Sequence, residues 1–325
     1  MPPPETTVPT APLATAAGSV TVCIATYRRP TQLTQVLDDL ERQSRLPDEV
    51  VIVDNDADGS AQALVATRQH HSRILRWHYH CEPRQNVALA RNAALDRATS
   101  DWVAWIDDDE RAPATWLAQL LSTAAQYPAT AVMGPVIAVL PCHTAPWLRR
   151  ARLFDWPRHA SGTAVPANEL RIGNLLMDRQ WVEREALRFD PAYGLTGGED
   201  GNFLLRIVAR GGRIVACNEA EVTEPIPEYR LALRWQWWRA WRGGQDFQRH
   251  TWAGLYGPIG PAGRIAFLGR AAAQAAAAAA LALLTLPLGR HHAWRWTLRC
   301  SANLGKLAAV AGRLHHEYAR PDGRA

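Results

Sequence analysis

Four acidic side chains in a row follow a hydrophobic run in the segment WIDDDE, Trp105–Glu110. Neighbouring carboxylates repel one another, and burying them unpaired costs several kcal/mol, so a cation or water must stabilise them. Asp107 and Asp109, two residues apart, can point the same way from an extended segment. Carboxylate oxygens are the ligands that Mg²⁺ and Mn²⁺ prefer. The run therefore predicts either a divalent-metal site or an acidic turn in water, and the residue types favour neither.

A second acidic pair, Glu199 and Asp200, follows Gly197 and Gly198 and begins a predicted helix. The glycines allow a sharp turn, and the positive end of a helix dipole stabilises carboxylates placed there. A carboxylate presented in this way can accept the proton of an attacking hydroxyl group. Taken alone, the pair is more typical of the ordinary acidic start of a helix than of a catalytic site.

The elements that must position these acids alternate between strand and helix. The predicted strands are near-continuous apolar runs, and each of the first four is followed by a helix. They cover residues 19–26, 48–55, 74–79, 101–106 and 131–140. This pattern predicts an α/β fold with a parallel sheet covered by helices on both faces, and ligands beyond the carboxyl ends of the strands. Polar residues at three such ends, 26–29, 54–56 and 107–109, are therefore expected to line one site.

Common nucleotide-binding and zinc motifs are absent from the sequence. The first strand leads into ATYRRP, residues 25–30, which lacks the glycines of a dinucleotide-binding turn or of a nucleotidyltransferase phosphate loop. No P-loop occurs, and the only lysine is Lys306. His78, His80 and Cys81 would not converge on zinc, because the cysteine faces the opposite side of a strand. The acidic strand ends remain as the candidate chemical site.

Residues 1–18 are rich in proline, threonine and alanine, and they predict a disordered leader rather than a signal peptide. The five cysteines are odd in number and widely spaced, which favours a reducing compartment over a disulfide framework. We therefore expect the catalytic part of the protein to reside in the cytosol.

Several longer segments, in order, are similar to one enzyme family. CIATYRRPTQL, VVIVDND, ALARNAALDRATSDWVAWIDDDE and GGEDGNFLLRI resemble the family 2 glycosyltransferases of the GT-A fold. IDDDE resembles their DxD signature, and GGED resembles their acceptor-side acid motif. AVMGPV, ELRIGNLLM and EPIPEYR with WRGGQ resemble bacterial exopolysaccharide enzymes of the succinoglycan glucosyltransferase type. The resemblance covers residues 19–245.

The resemblance implies a role for each matching residue. Asp200 would be the catalytic base, Glu199 would position the acceptor, and Asp109 with Asp107 would hold Mg²⁺ or Mn²⁺. Asp54 would accept a hydrogen bond from the base of the donor nucleotide, and Arg91 would lie near the diphosphate of that nucleotide. The residues implied to bind the nucleotide-sugar donor are Thr26, Tyr27, Arg29, Asp54, Asn55, Arg91, Asp107 and Asp108.

One position departs from the family pattern. Many GT-A enzymes carry a histidine on the strand before EPIPE, where it helps to hold metal or diphosphate, and Thr223 stands there in this sequence. The resemblance then implies that a third metal ligand comes from the diphosphate or water. The choice of sugar would depend on contacts near Asn174 and Glu199.

Residues 230–325 form a basic tail that contains 14 of the 36 Lys and Arg and half of the 14 Trp. A helix broken at Gly243 and Gly244 is predicted first. Ala271–Leu288 is just long enough to span a bilayer, and Trp294–Leu314 mixes basic and apolar positions as a helix on an anionic leaflet would. We expect a helical hairpin embedded in the membrane face, with a true span or a soluble helical subdomain as alternatives.

These observations predict a GT-A catalytic domain at residues 19–229 and a membrane-associated tail at 230–325, on the cytoplasmic face of the inner membrane. The expected reaction is inverting transfer of a hexose, glucose from UDP-glucose, to a lipid-linked saccharide in exopolysaccharide synthesis. The alternatives are another sugar in lipopolysaccharide or cell-wall glycan synthesis, and a non-catalytic protein that binds nucleotide sugars. A nucleic-acid partner is not expected, because an apolar poly-alanine helix inside the basic region would not serve one.

Overall fold

The computed structural model describes residues 18–318, so the predicted leader lies outside the described residues except for Gly18. Within this described part of the chain, nine strands form two sheets. They are β1 (Val20–Thr26), β2 (Glu49–Asp54), β3 (Arg76–Cys81), β4 (Trp102–Trp105), β5 (Ala131–Met133), β6 (Val136–Val139), β7 (Leu175–Asp178), β8 (Ile214–Ala216) and β9 (Val222–Pro225). The expected α/β GT-A fold class is confirmed.

The main sheet has seven strands in the order β3-β2-β1-β4-β7-β5-β8. Strands β1 to β4 are parallel, and the β1–β2 register pairs Thr26 with Asp54. This register brings the polar carboxyl ends of the first two strands side by side. The predicted parallel sheet is confirmed for β1 to β4, whereas β7, which was not predicted as a strand, runs antiparallel to both β4 and β5. LLMD is too short and too uniformly apolar for its direction to be read from the sequence.

The predicted strand at 131–140 is also two strands. β5 belongs to the main sheet, whereas β6 pairs with β9 in a separate two-stranded sheet. The break falls at Gly134, where a Cβ would lie 2.3 Å from both the Ala220 carbonyl oxygen and the Asn174 side chain. Only glycine allows this close approach of the two segments.

Helices cover both faces of the main sheet. They are α1 (Pro30–Glu41), α2 (Gln62–Gln69), α3 (Val87–Arg97), α4 (Trp116–Gln126), α5 (Pro146–Ala151), α6 (Arg179–Arg184) and α7 (Glu199–Ala209). Alternate residues of β1 point to opposite faces: Ile24 packs with α1 and α4, and Cys23 packs with α3 and α7. Two apolar cores thus hold the strand ends rigidly.

Four helices follow among the described residues: α8 (Glu228–Leu231), α9 (Leu233–Trp252), α10 (Pro261–Leu284) and α11 (Arg290–Ala308). Helix α11 packs against both α9 and α10. The predicted break at Gly243 and Gly244 is wrong, because α9 continues through both glycines. They permit close packing instead: a Cβ on Gly244 would lie 1.8 Å from the Ala302 carbonyl oxygen, and one on Gly305 2.0 Å from that of Trp241.

Replacement of Gly244 by alanine should therefore destabilise the packing of α9 against α11. The adjacent Gly243→Ala variant is the matched control, because nothing lies within 4 Å of a Cβ there. In a helix interior alanine is favoured over glycine by about 1 kcal/mol, so the control should hold or raise the melting temperature. Thermal unfolding followed by circular dichroism measures both, and equal melting temperatures for the two variants would contradict the close approach.

Candidate active site

A cavity of about 740 Å³ opens at the carboxyl ends of β1, β2 and β4 and is bounded on its far side by α9. Most of the residues predicted to form the site line it. They are Thr26, Tyr27, Arg29, Asn55, Arg91, Asp107, Asp108, Asp109, Glu199 and Asp200. Asp54 is the exception. The strand ends and the GGED segment therefore meet at one place.

Arginines neutralise much of the acidic run. Asp108 is buried, and it accepts hydrogen bonds from the Thr26 hydroxyl at 2.8 Å and from Arg29 Nη1 at 2.9 Å. The same Arg29 nitrogen lies 2.9 Å from Asp109, and Arg230 Nη2 lies 3.6 Å from that carboxylate. Burial raises the pKa of Asp108 to about 6, although Arg29 opposes the shift. Thus Asp108 and Glu110, which a solvated acidic turn would expose, are both inside the protein.

Arg91 joins the two acidic motifs. Its guanidinium pairs with Glu199, and its Nη2 lies 3.4 Å from Asp107 Oδ1. Burial raises the pKa of Glu199 to about 7, with Arg91 acting in the opposite direction. Arg91 therefore links the acidic run to the GGED acids, and its predicted place near a diphosphate stays a prediction.

The acidic run fits a divalent cation through two carboxylates. The Asp107 side chain is half exposed and Asp109 lines the same cavity, so their oxygens can serve as hard ligands. Within residues 18–318 no group of three or more His, Cys, Asp or Glu is placed to hold a metal. Thr223 bonds the backbone of Arg111, while its neighbour Glu224 lines the cavity and pairs with Arg230. Further ligands would have to come from the substrate or water.

The turn before α7 depends on two glycines in the left-handed region, Gly197 with φ +84° and Gly198 with φ +85°. Side chains from α9 fill the space where their Cβ atoms would be. A Cβ on Gly197 would lie 2.0 Å from Arg242 Nη1, and one on Gly198 would lie 2.6 Å from Asp246 Cγ. Helix α9 thus forms the support under the turn that presents Glu199 and Asp200.

Two titratable groups on α9, Asp246 and the buried His250, accompany this turn. Burial raises the pKa of Asp246 to about 8, against the lowering effect of Arg242 and Arg249. Burial lowers the pKa of His250 to about 4, so the imidazole is neutral at pH 7. Both residues line the cavity beside Asp200. Asp200 accepts a hydrogen bond from the Gly201 amide at 2.7 Å, and its carboxylate is available to a ligand in the cavity.

Asp54 and Asn55 make internal hydrogen bonds that hold the loops at the carboxyl end of β2, although Asn55 also lines the cavity. Asp54 is fully buried, and it accepts hydrogen bonds from the Ala61 amide at 2.7 Å and from the Tyr79 hydroxyl at 3.1 Å. The Asn55 amide group donates to the carbonyl oxygen of Glu82 at 2.9 Å. The predicted contact between Asp54 and a nucleotide base stays a prediction, and it would require one of these internal bonds to be replaced.

Some cavity residues were not predicted from the sequence. Arg242, Asp246 and His250 come from the tail, and their four-residue spacing on one helix face was the available signal. Arg171 stands in the segment ELRIGNLLM, but nothing in that segment singled it out as a cavity residue. Asn174, expected near the sugar, is fully buried: it accepts a hydrogen bond from Trp116 Nε1 at 2.7 Å and does not line the cavity.

Gly198→Ala should abolish activity, because a Cβ would meet the Asp246 carboxyl group in addition to the strain of a positive φ. Gly211→Ala is the control: it has nearly the same φ, +83°, but nothing within 4 Å of its Cβ. The Gly211→Ala variant therefore shows the effect of backbone strain without a steric clash, and it should keep most of the wild-type turnover. The readout is the turnover number of each purified variant, with folding checked by circular dichroism. Equal losses would assign the effect to strain alone.

A sheet with a parallel core, whose acidic strand ends face a second acid pair across one cavity, defines a glycosyltransferase of the GT-A fold. The sequence model described as glycosyl transferase family 2 matches residues 21–183, and the chain belongs to this family. It is 35% identical to the succinoglycan biosynthesis protein ExoM of Rhizobium meliloti over 236 residues, 71% of this chain and 74% of that protein.

Two other similarities agree with this assignment. The chain is 35% identical to the galactofuranosyltransferase GlfT1 of Mycobacterium tuberculosis over 156 residues, 46% of this chain and 50% of that one. The mannosyltransferase PcManGT from Pyrobaculum calidifontis, solved in complex with GDP-Man and Mn²⁺, has a TM-score of 0.62 at 20% identity. The superposition covers 93% of this chain and 90% of the mannosyltransferase chain, and this likeness shows the fold.

Proposed function

We propose that this enzyme transfers a hexose, glucose from UDP-glucose, with inversion to a lipid-linked saccharide during exopolysaccharide assembly. The observation that carries the proposal is the placement of Asp107 and Asp109 opposite Glu199 and Asp200 in one cavity, with Arg91 between them. The similarity to a succinoglycan biosynthesis protein supports the pathway. The similarity to a galactofuranosyltransferase supports the second candidate, another sugar in cell-wall or lipopolysaccharide glycans.

At the donor end, Thr26, Tyr27 and Arg29 line the part of the cavity next to the acidic run, where a nucleotide would bind. Asp107 and Asp109 would hold Mg²⁺ or Mn²⁺, which neutralises the charge that develops on the departing diphosphate. Arg29 already bridges Asp108 and Asp109, so it keeps the neighbouring carboxylates in place as the donor binds. Asp54 would contribute indirectly, because its hydrogen bond with the Ala61 amide holds the loop after β2 in place.

At the acceptor end, Asp200 would take the proton from the acceptor hydroxyl as it attacks the anomeric carbon. One base on the acceptor side, with charge stabilisation on the donor side, is suited to a single displacement with inversion. Glu199 is held by Arg91 and would orient the acceptor beside this base. Holding both reactants in one cavity supplies much of the rate enhancement, because it replaces a bimolecular encounter.

The helical tail supports work at a membrane surface. One helix among the described residues, α10, is long and apolar enough to cross a bilayer, with a mean hydropathy of 1.5 over its best window. Leu283, Leu284, Leu286 and Leu288, at its end and just beyond, are exposed. Because the chain 230–325 is also strongly basic, we propose that this end enters the cytoplasmic leaflet and brings the cavity to a lipid-linked acceptor.

A donor panel tests the reaction. Purified protein is incubated with UDP-, GDP- and dTDP-sugars, including UDP-glucose and UDP-galactofuranose, with Mn²⁺, with Mg²⁺ or with EDTA, and nucleotide release is measured. We expect release from UDP-glucose and its loss in EDTA. Release from a different sugar nucleotide would show that UDP-glucose is not the donor. Undiminished release in EDTA would show that the reaction does not need a divalent metal.

Asp200→Asn should lower the rate of sugar transfer to an extracted lipid-linked acceptor by about 10²-fold or more, because the substitution removes the catalytic base. Binding of UDP should be unchanged, since the acidic run is intact. Asp96→Asn is the control: this half-exposed carboxylate pairs with Arg188 outside the cavity. Turnover is followed by radiolabelled sugar incorporation, and normal incorporation by the Asp200 variant would exclude it as the base.

Replacing Leu283, Leu284, Leu286 and Leu288 by serine should release the protein from anionic lipid vesicles, because each exposed leucine buries apolar area in the bilayer. Leu75→Ser is the control, as this leucine is 87% exposed immediately before β3 and lies outside the helical tail. Co-sedimentation with vesicles measures binding. Retention of the quadruple variant on vesicles would place the membrane contact elsewhere.

A further inference from the structure

Arg171 is a guanidinium in the cavity wall that lacks a hydrogen-bond partner. Its Nε and Nη1 atoms are buried, and neither has a partner among the residues that the structure describes. A buried hydrogen-bond donor without an acceptor lowers the stability of the folded protein by about 1–3 kcal/mol, and by more when the donor is charged. An unsatisfied buried group in a native protein calls for an explanation, and a functional role at a binding site is one of them.

The side chain is held in its place by packing. Leu170 and Ile172 on either side are buried in the core beneath the main sheet, which fixes the backbone at Arg171. The Arg171 guanidinium carbon lies 4.6 Å from the ring centroid of Trp156, which also lines the cavity. Such a cation–π contact orients the guanidinium plane without using its hydrogen-bond donors.

The nearest carboxylates are already bound to other groups. Glu110 accepts a hydrogen bond from the Asp107 amide at 3.1 Å, and Glu224 pairs with Arg230. Asp200 accepts from the Gly201 amide. These acids contribute to the field around Arg171, but none bonds to it, and burial lowers the pKa of this arginine. None of these acids therefore takes up the Nε and Nη1 donors of Arg171.

The location of Arg171 indicates which part of a substrate it meets. Gly173, two residues further on, lies against the acidic run, and a Cβ there would be 3.1 Å from Asp107 Oδ2. Arg171 and Asp200, the proposed base, both line the cavity. The group that lies between the diphosphate and the base in a glycosyl transfer is the transferred sugar.

We propose that Arg171 binds the transferred hexose of the nucleotide-sugar donor, donating hydrogen bonds to its ring hydroxyl oxygens. The inference rests on the proposed glycosyl transfer and names the residue that distinguishes a sugar nucleotide from the bare nucleotide. The guanidinium fork can span two neighbouring hydroxyl groups, which a single-point donor such as lysine cannot. Trp156 positions Arg171 from behind.

The test compares two ligands on the full-length protein: the sugar nucleotide selected by the donor panel and the corresponding nucleoside diphosphate. Binding is measured by isothermal titration calorimetry in the presence of Mn²⁺. We expect Arg171→Gln to weaken sugar-nucleotide binding about tenfold or more, because charge-assisted hydrogen bonds are lost. Affinity for the nucleoside diphosphate should change less than about twofold. Arg171→Lys keeps the charge and should recover only part of the loss.

Arg152→Gln is the matched control, since this exposed arginine of the same connecting segment pairs with Asp155 and does not line the cavity. It should bind both ligands as the wild type does. An equal loss for both ligands in Arg171→Gln would instead assign Arg171 to the diphosphate, and unchanged binding of both would assign it to packing. If the wild type binds no sugar nucleotide at all, the proposed function fails, and this inference fails with it.

Discussion

The contact on which the site depends is the buried bridge from Arg91 to Glu199 and Asp107. One guanidinium, carried on a helix behind the main sheet, fixes two acidic motifs that are far apart in the sequence. A single cation between buried carboxylates also reduces the electrostatic cost of gathering so many acids in one cavity. The separation between the donor end and the acceptor end is therefore built into the protein core before any substrate binds.

The fold was predictable where the sequence has a regular period. Apolar runs such as Glu49–Asp54 and their following helices gave the parallel part of the sheet and, through it, the convergence of the acidic strand ends. The direction of Leu175–Asp178 was not predictable, because a four-residue apolar strand has the same pattern in either direction. The division at Gly134 depends on a backbone contact with Ala220, distant in sequence, that no local pattern records.

The site was predictable only in part, for a related physical reason. Residues such as Asp107 and Asp200 stand in short motifs whose spacing follows the local chain. Arg171 and Asp246 instead reach the cavity through tertiary packing, Arg171 next to Trp156 and Asp246 under Gly198. Asp54 shows the opposite case, because its position at a strand end is typical of a ligand contact, yet its oxygens bind the Ala61 amide and the Tyr79 hydroxyl.

The close contacts between α9 and the turn at Gly197 and Gly198 have a practical consequence for anyone who wishes to study the catalytic half alone. A fragment that ends at residue 229 would leave Gly197 and Gly198 without the side chains that fill the space beside them. The loop that carries Asp200 would then gain conformational freedom, and the exposed cavity floor would attract detergent or aggregate. Fragment design for this enzyme should start from the whole helical layer and alter its apolar end, instead of removing the layer.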